Sequence, residues 1–282
     1  METSRVVHVA HSPDSDDAFM FYALASGHVD TQGLTYVHEL QDIETLNGRA
    51  LRGELEVTAV SIHAYAYLTD RYMLLPHGAS MGDQYGPRLV ARTARTLDDL
   101  SGARIAVPGL MTSAYLALRL RLPYFIPVPT PFDAIEAAVL SGEVDAGLLI
   151  HEGQLTFGEA GLQLVEDLGV SWHEETGLPL PLGGNVVRRD LGPEMIRKIS
   201  RHLRASIAYG LEHRTPALDH AMQYARGLER GQADTFVSMY VNAWTLDYGP
   251  RGREAIREFL RRGTAAGLIP HAVDVEFASD GT

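Results

Sequence analysis

Cysteine is absent from the 282 residues. That excludes a disulfide framework, a thiol nucleophile and any Cys-based metal site. Basic charge is also scarce: 24 Lys and Arg stand against 36 Asp and Glu, a formal net charge of -12. Nucleic-acid binders carry a basic face and polybasic segments hold proteins to anionic bilayers, so neither nucleic acid nor a membrane fits as partner. No apolar run approaches the length of a membrane helix. The opening stretch METSRVVHVAHSPDSDD has no long apolar core and turns acidic at once, unlike a secretory signal. The expectation is a cytoplasmic protein. There is no internal repeat, no G-x-G-x-x-G, no Walker loop and no H-E-x-x-H. His8 and His11 lie close in sequence but lack a third metal ligand. The default is a site with no cofactor and no metal.

What is present is an alternation of strands and helices in a chain that is 45% hydrophobic, long enough for one large core or two modest ones. Strands are expected over residues 5–10, 34–40, 57–60, 72–75, 88–91, 103–107, 124–128, 144–150 and 163–167. Helices are expected over 16–26, 43–51, 62–68 and 113–121, and from 132 to the stop at Gly142. Residues 178–185, LPLPLGGN, are rich in Pro and Gly and read as a crossing between lobes. Beyond it the chain reads as helices over 193–213, 215–227, 234–244 and 252–263. The economical arrangement is α/β with two lobes, residues 1–90 plus 186–282 and residues 91–185, and a ligand cleft between them.

The segment FDAIEAAVLSGEVDAGLLIHEG (132–153) is the most telling. Phe132, Ile135 and Val139 share a helical face, Gly142 ends the helix, and the apolar run after it has the pattern of a strand covered on both faces. Ligands bind at the carboxyl ends of such strands, which is where His151 and Glu152 fall. A neutral imidazole suits proton transfer near pH 7; a merely structural histidine is the alternative. On an extended chain Glu152 would point away from His151.

Three strand-to-helix turns carry further candidates. HSPDSDD (11–17) offers Ser12, Asp14 and Asp16, either as helix caps or also as ligand contacts; its spacing fails the calcium loop. VTAVSIHAY (57–65) places Ser61, and VPGLMTSAY (107–115) places Thr112 and Ser113, where caps and free N–H groups suit an anionic ligand. Gly78 to Gly82 matches G-x-S-x-G, but nothing before or after it supports a nucleophile elbow.

These pieces, together with Phe21-Tyr22-Ala23-Leu24, TGLPLPLG (176–183) and YVNAWTLD (240–247), resemble in order the menaquinone-biosynthesis family of the futalosine pathway, nearest its 1,4-dihydroxy-6-naphthoate synthase branch. The resemblance implies a two-lobed periplasmic-binding-protein-like fold of the two-crossing type. It implies a lyase that converts cyclic dehypoxanthine futalosine to 1,4-dihydroxy-6-naphthoate without cofactor or metal. His151, in the IHE segment, is then the base. Ser61, Thr112 and Ser113 are then contacts to an anionic small molecule, in a monomer or homodimer; Ser12, Asp14, Asp16 and Glu152 are expected beside them from their places at the turns and strand end. Chorismate dehydratase, the sister activity, and a non-catalytic solute-binding protein are the alternatives. One departure stands out: the branch typically reads SPCPNDTF where this chain reads SPDSDDAF, putting Asp14 and Asp16 beside the expected ligand.

Overall fold

The computed structural model describes residues 5–225 and 228–279. The strands are β1 (Arg5–His11), β2 (Leu34–Leu40), β3 (Val57–Ser61), β4 (Tyr72–Leu74), β5 (Ser80–Gly82), β6 (Arg88–Ala91), β7 (Arg104–Val107), β8 (Ile126–Pro129), β9 (Ala146–Leu149), β10 (Gln163–Asp167) and β11 (Leu180–Arg188). The helices are α1 (Ser15–Ala25), α2 (Ile43–Arg52), α3 (Ile62–Tyr65), α4 (Ser113–Arg121), α5 (Ile135–Ser141), α6 (Gly153–Thr156), α7 (Leu168–Thr176), α8 (Pro193–Glu212), α9 (Arg214–Ala221), α10 (Arg230–Tyr240), α11 (Ala243–Leu246) and α12 (Gly249–Ala265). The expected end of the 215–227 helix, at Gly227, lies outside the described residues.

Two sheets organise the chain. The first runs β2-β1-β3-β11-β4, with β5 also paired to β11; the second runs β10-β6-β9-β7-β8. In the first, β1 is parallel to β2 and β3. In the second, β7 is parallel to β8 and β9, while β6 is antiparallel to β9 and β10. The parallel strands follow from helical connections that must recross the sheet. Val7 and Val9 of β1 pack against Met20, Phe21 and Leu24 of α1, and Ile196, Ile199, Leu203 and Ile207 cover the same core from α8. Those four follow the three-and-four spacing of a helix with one apolar face.

The Pro/Gly-rich stretch 178–185 is not a bare crossing. From Leu180 it is a central antiparallel strand, paired to β3 on one side and to β4 and β5 on the other. Pro181 is tolerated because the pairing to β5 slips between Pro181 and Gly183, where no ladder donor is needed. Gly184 is required because a Cβ there would press on the Tyr248 hydroxyl. Ser80, inside the G-x-S-x-G match, lies on β5 rather than at a strand-to-helix elbow. The expected lobe boundaries after residues 90 and 185 cut through β6 and β11. By strand membership the chain leaves the first sheet after Gly82 and rejoins it at Leu180.

The largest buried cluster spans both sheets, joining Tyr65 and Leu74 to Leu116, Leu148, Trp172 and Phe259. At one junction two backbones touch: a Cβ on Gly169 would overlap the Tyr85 carbonyl and the Gly86 amide. The Asp167 carboxylate caps α7 there, accepting from Gly169 N at 3.0 Å and Val170 N at 3.2 Å. Because backbone cannot yield as a side chain can, Gly169→Ala is expected to destabilise by about 3 kcal/mol in urea denaturation. Gly231→Ala, in a helix with open space at its Cβ, is expected to be neutral or to stabilise by up to about 1 kcal/mol.

Candidate active site

Three turns and the end of β9 converge on a cavity of about 110 Å³ between the sheets. The β1–α1 turn brings Ser12, Asp14, Asp16 and Asp17; the end of β3 brings Ser61; the turn before α4 brings Thr112 and Ser113; the end of β9 brings His151. Seven of the eight residues expected from the sequence thus line one space. Glu152, the eighth, is buried but does not line it.

Asp14 occupies the N-cap position of α1 yet makes no cap bond to the helix. Its carboxylate instead crosses the cleft: Oδ2 lies 3.0 Å from His151 Nδ1, and the Ser12 hydroxyl donates to the same oxygen. The side chains of Asp14 and His151 are 3% and 14% exposed. The Phe132 ring meets the imidazole edge-on, with centroids 4.1 Å apart. His151 Nε2 has no hydrogen-bond partner among the described residues. Glu152 does not point away as an extended chain would have it. β9 stops at Leu149, and Glu152 turns helical at φ -53°, ψ -27°. Donor atoms of Asp14, His151 and Glu152 therefore fall within 4.8 Å of one another. A cation there would have to replace the Asp14–His151 bond.

The electrostatics follow from burying acids together. Burial works to lower the His151 pKa, but the Asp14 carboxylate and its hydrogen bond, then Glu152 and Asp16, outweigh it and raise it above the ordinary imidazole value. Burial raises Asp16 well above the usual carboxylate range, and the charges of Asp17, Asp14 and Glu152 add to the effect. Burial likewise pushes Asp17 up to about 7, against a hydrogen bond of 2.7 Å from Ser12 N. Elsewhere, burial and then His38 bring His11 down to about 3; it stacks on Phe21 with centroids 4.3 Å apart.

The expected hydroxyls are partly committed to the protein. Ser61 Oγ accepts from Asn47 Nδ2 at 3.1 Å. Thr112 Oγ1 caps α4 by accepting from Tyr115 N at 3.2 Å and donates to Gly109 O at 2.8 Å. Ser113 Oγ ties the lobes together, accepting from His63 N at 3.1 Å and donating to Leu182 O at 2.5 Å. One N–H of the turn before α4 is engaged as well: Glu44 of α2 accepts from Met111 N at 3.2 Å.

Sequence reasoning missed Asn185, Ser80 and Tyr240, which also line the cavity. Asn185 is 1% exposed, and its Oδ1 has no partner among the described residues while its Nδ2 donates to Gly78 O. It lies two residues past TGLPLPLG, a signal left unused because that stretch was read as a crossing. Tyr240, in YVNAWTLD, donates to Gln154 Oε1 at 2.8 Å.

Two lobes, each built on one sheet, with a cleft between them define a periplasmic-binding-protein-like fold. The alkanesulfonate-binding protein of Xanthomonas axonopodis has that fold; it matches with a TM-score of 0.70 over 98% of both chains, at 14% identity. The chain belongs to the menaquinone-biosynthesis family, whose model matches residues 7–265. It is 43% identical over 93% of its length to the 1,4-dihydroxy-6-naphthoate synthase of Thermus thermophilus, covering 95% of that protein. It is 38% identical over 94% to that of Streptomyces coelicolor, again covering 95%. A crystal structure of an Archaeoglobus fulgidus protein superposes with a TM-score of 0.90 at 50% identity, over 94% of this chain and 98% of that one. The chain is accordingly an enzyme of menaquinone biosynthesis.

The acid cluster makes a pH prediction. A carboxyl whose pKa is raised on folding leaves the native state holding more protons than the unfolded chain, so stability falls as pH rises from about 4 to about 7. Asp17→Asn removes that titration and keeps an acceptor for Ser12 N. Across this window the variant is expected to gain on the wild type by on the order of 1–3 kcal/mol in urea denaturation. Parallel pH–stability curves would refute the assignment.

Proposed function

We propose that the chain is a carbon–carbon lyase that converts cyclic dehypoxanthine futalosine to 1,4-dihydroxy-6-naphthoate, with His151 as general base. The observation that carries the reading is an imidazole in the interlobe cavity, with Nδ1 on a buried carboxylate and Nε2 without a protein partner. The naphthoate synthases to which the chain is similar supply the substrate class.

Breaking the sugar skeleton and aromatising the ring needs a proton removed and no net redox change. Aromatisation supplies driving force, so the protein has to position the substrate, exclude water and take the proton. Nε2 of His151 is the acceptor. Asn185 Oδ1 and the Ser61 hydroxyl are the groups that meet substrate hydroxyls or ring oxygens. Burial and then its acidic neighbours raise the pKa of Asp16, which favours its neutral form toward the substrate. This eases, at Asp16, the like-charge conflict with an anionic ligand that SPDSDDAF poses on paper. We take the enzyme to act in the cytoplasm, as a monomer or homodimer, without metal or organic cofactor.

Purified protein incubated with cyclic dehypoxanthine futalosine is expected to yield the naphthoate by chromatography. His151→Ala is expected to lower kcat roughly 10²- to 10⁴-fold, the usual contribution of a general base. Enolpyruvyl-benzoate from chorismate would replace this reading with the dehydratase. Binding of the cyclic compound without any product would replace it with a solute-binding role.

A further inference from the structure

We propose that Asp14 is a positioning residue for His151: a carboxylate on one lobe that holds the imidazole of the other in a single tautomer, Nδ1–H on Asp14 and the Nε2 lone pair left for substrate, so that the base is complete only when the cleft is shut. The inference rests on the reading of His151 as the base.

Three observations carry it. The pair is 3.0 Å apart, and its members come from different lobes, Asp14 from the turn after β1 and His151 from the turn after β9. Any opening of the cleft parts them. Asp14 sits where a helix cap belongs, but its side chain makes no cap hydrogen bond. An N-cap aspartate normally accepts from the second or third helical N–H; this one is committed across the cleft instead. The orientation is also fixed from the other sides: the Ser12 hydroxyl donates to the same carboxylate oxygen, and the Phe132 ring abuts the imidazole. As a direct contact for an anionic substrate, Asp14 has the wrong sign. As the partner of Nδ1–H it stabilises the imidazolium that forms when Nε2 takes a proton, the role carboxylates play behind catalytic histidines.

Asp14 is the nearest charge to the imidazole but not the only one. Asp16 faces it from the same turn and Glu152 from its own. Glu136 of α5 lies against Gly153, and Arg88 of β6 donates to the Gln154 carbonyl. Replacing Asp14 alone therefore lowers the basicity of His151 without removing every acidic neighbour.

The test combines nitrogen-15 NMR of the imidazole in the protein alone with pH profiles of kcat/KM. In the wild type, above the titration, Nδ1 is expected protonated and Nε2 bare; the reverse tautomer overturns the proposal and needs no variant. In Asp14→Asn, the His151 titration is expected to move down by about one pH unit or more, and the acid limb of kcat/KM to move with it. The kcat is expected to fall 10- to 1,000-fold with KM changed less than threefold. Asp14→Glu, which keeps the charge, recovers part of kcat, and Asp14→Ala does not. An unmoved titration in folded Asp14→Asn overturns the proposal. If the wild type shows the expected tautomer and titration but makes no naphthoate, the pair stands and the reaction assigned to it falls.

Discussion

Four carboxyl groups, the buried Asp14, Asp17 and Glu152 and the half-buried Asp16, gather near one imidazole, and the charge balance of that group constrains the rest of the cleft. Buried like charges cannot all ionise. Asp16 and Asp17 respond by holding their protons to higher pH, and His151 by becoming a better base. The result is a raised pKa at Asp16, at Asp17 and at His151, with the Asp14 carboxylate paired to the imidazole. Two carboxyl environments driven apart in this way are how acid and base roles separate near neutral pH.

Closure of the cleft depends on the same kind of contact. The lobes meet through Asp14 and His151, through Glu44 on the Met111 amide, and through Ser113 between the His63 amide and the Leu182 carbonyl. Gly109 is needed at that turn because a side chain would strike Glu44. Several hydroxyls and amides that the turns offer on paper to a ligand are thus spent holding the two halves together. On the cavity wall, His151 Nε2 and Asn185 Oδ1 have no hydrogen-bond partner among the described residues.

The fold carries no activity by itself, since solved structures sharing it at 14% identity include an alkanesulfonate-binding protein. What separates this chain is chemistry placed on its turns. A cleft that closes over a ligand already excludes water and fixes orientation. Here an imidazole on one wall meets a carboxylate on the other across the cleft.

Much of this was legible in the residues. Strands 34–40, 88–91 and 163–167 and the helix 113–121 lie where the apolar patterning puts them, because each is set by local periodicity and clear stops. The three turns and His151 were visible because ligand sites collect where parallel strands end. The stretch 180–188 was not: Pro and Gly signal a loop locally, and only pairing on both sides with a slipped register makes it a strand. Glu152 was misjudged because one residue of strand length decides which way it turns. Asp14 could be marked as a cap or a ligand contact, but its partner lies 137 positions away in the chain. Composition, spacing and turn chemistry are local and determined the elements and the candidate residues. Which carboxylate meets which nitrogen is a distance between lobes, and only the packing of the two sheets against each other decides it.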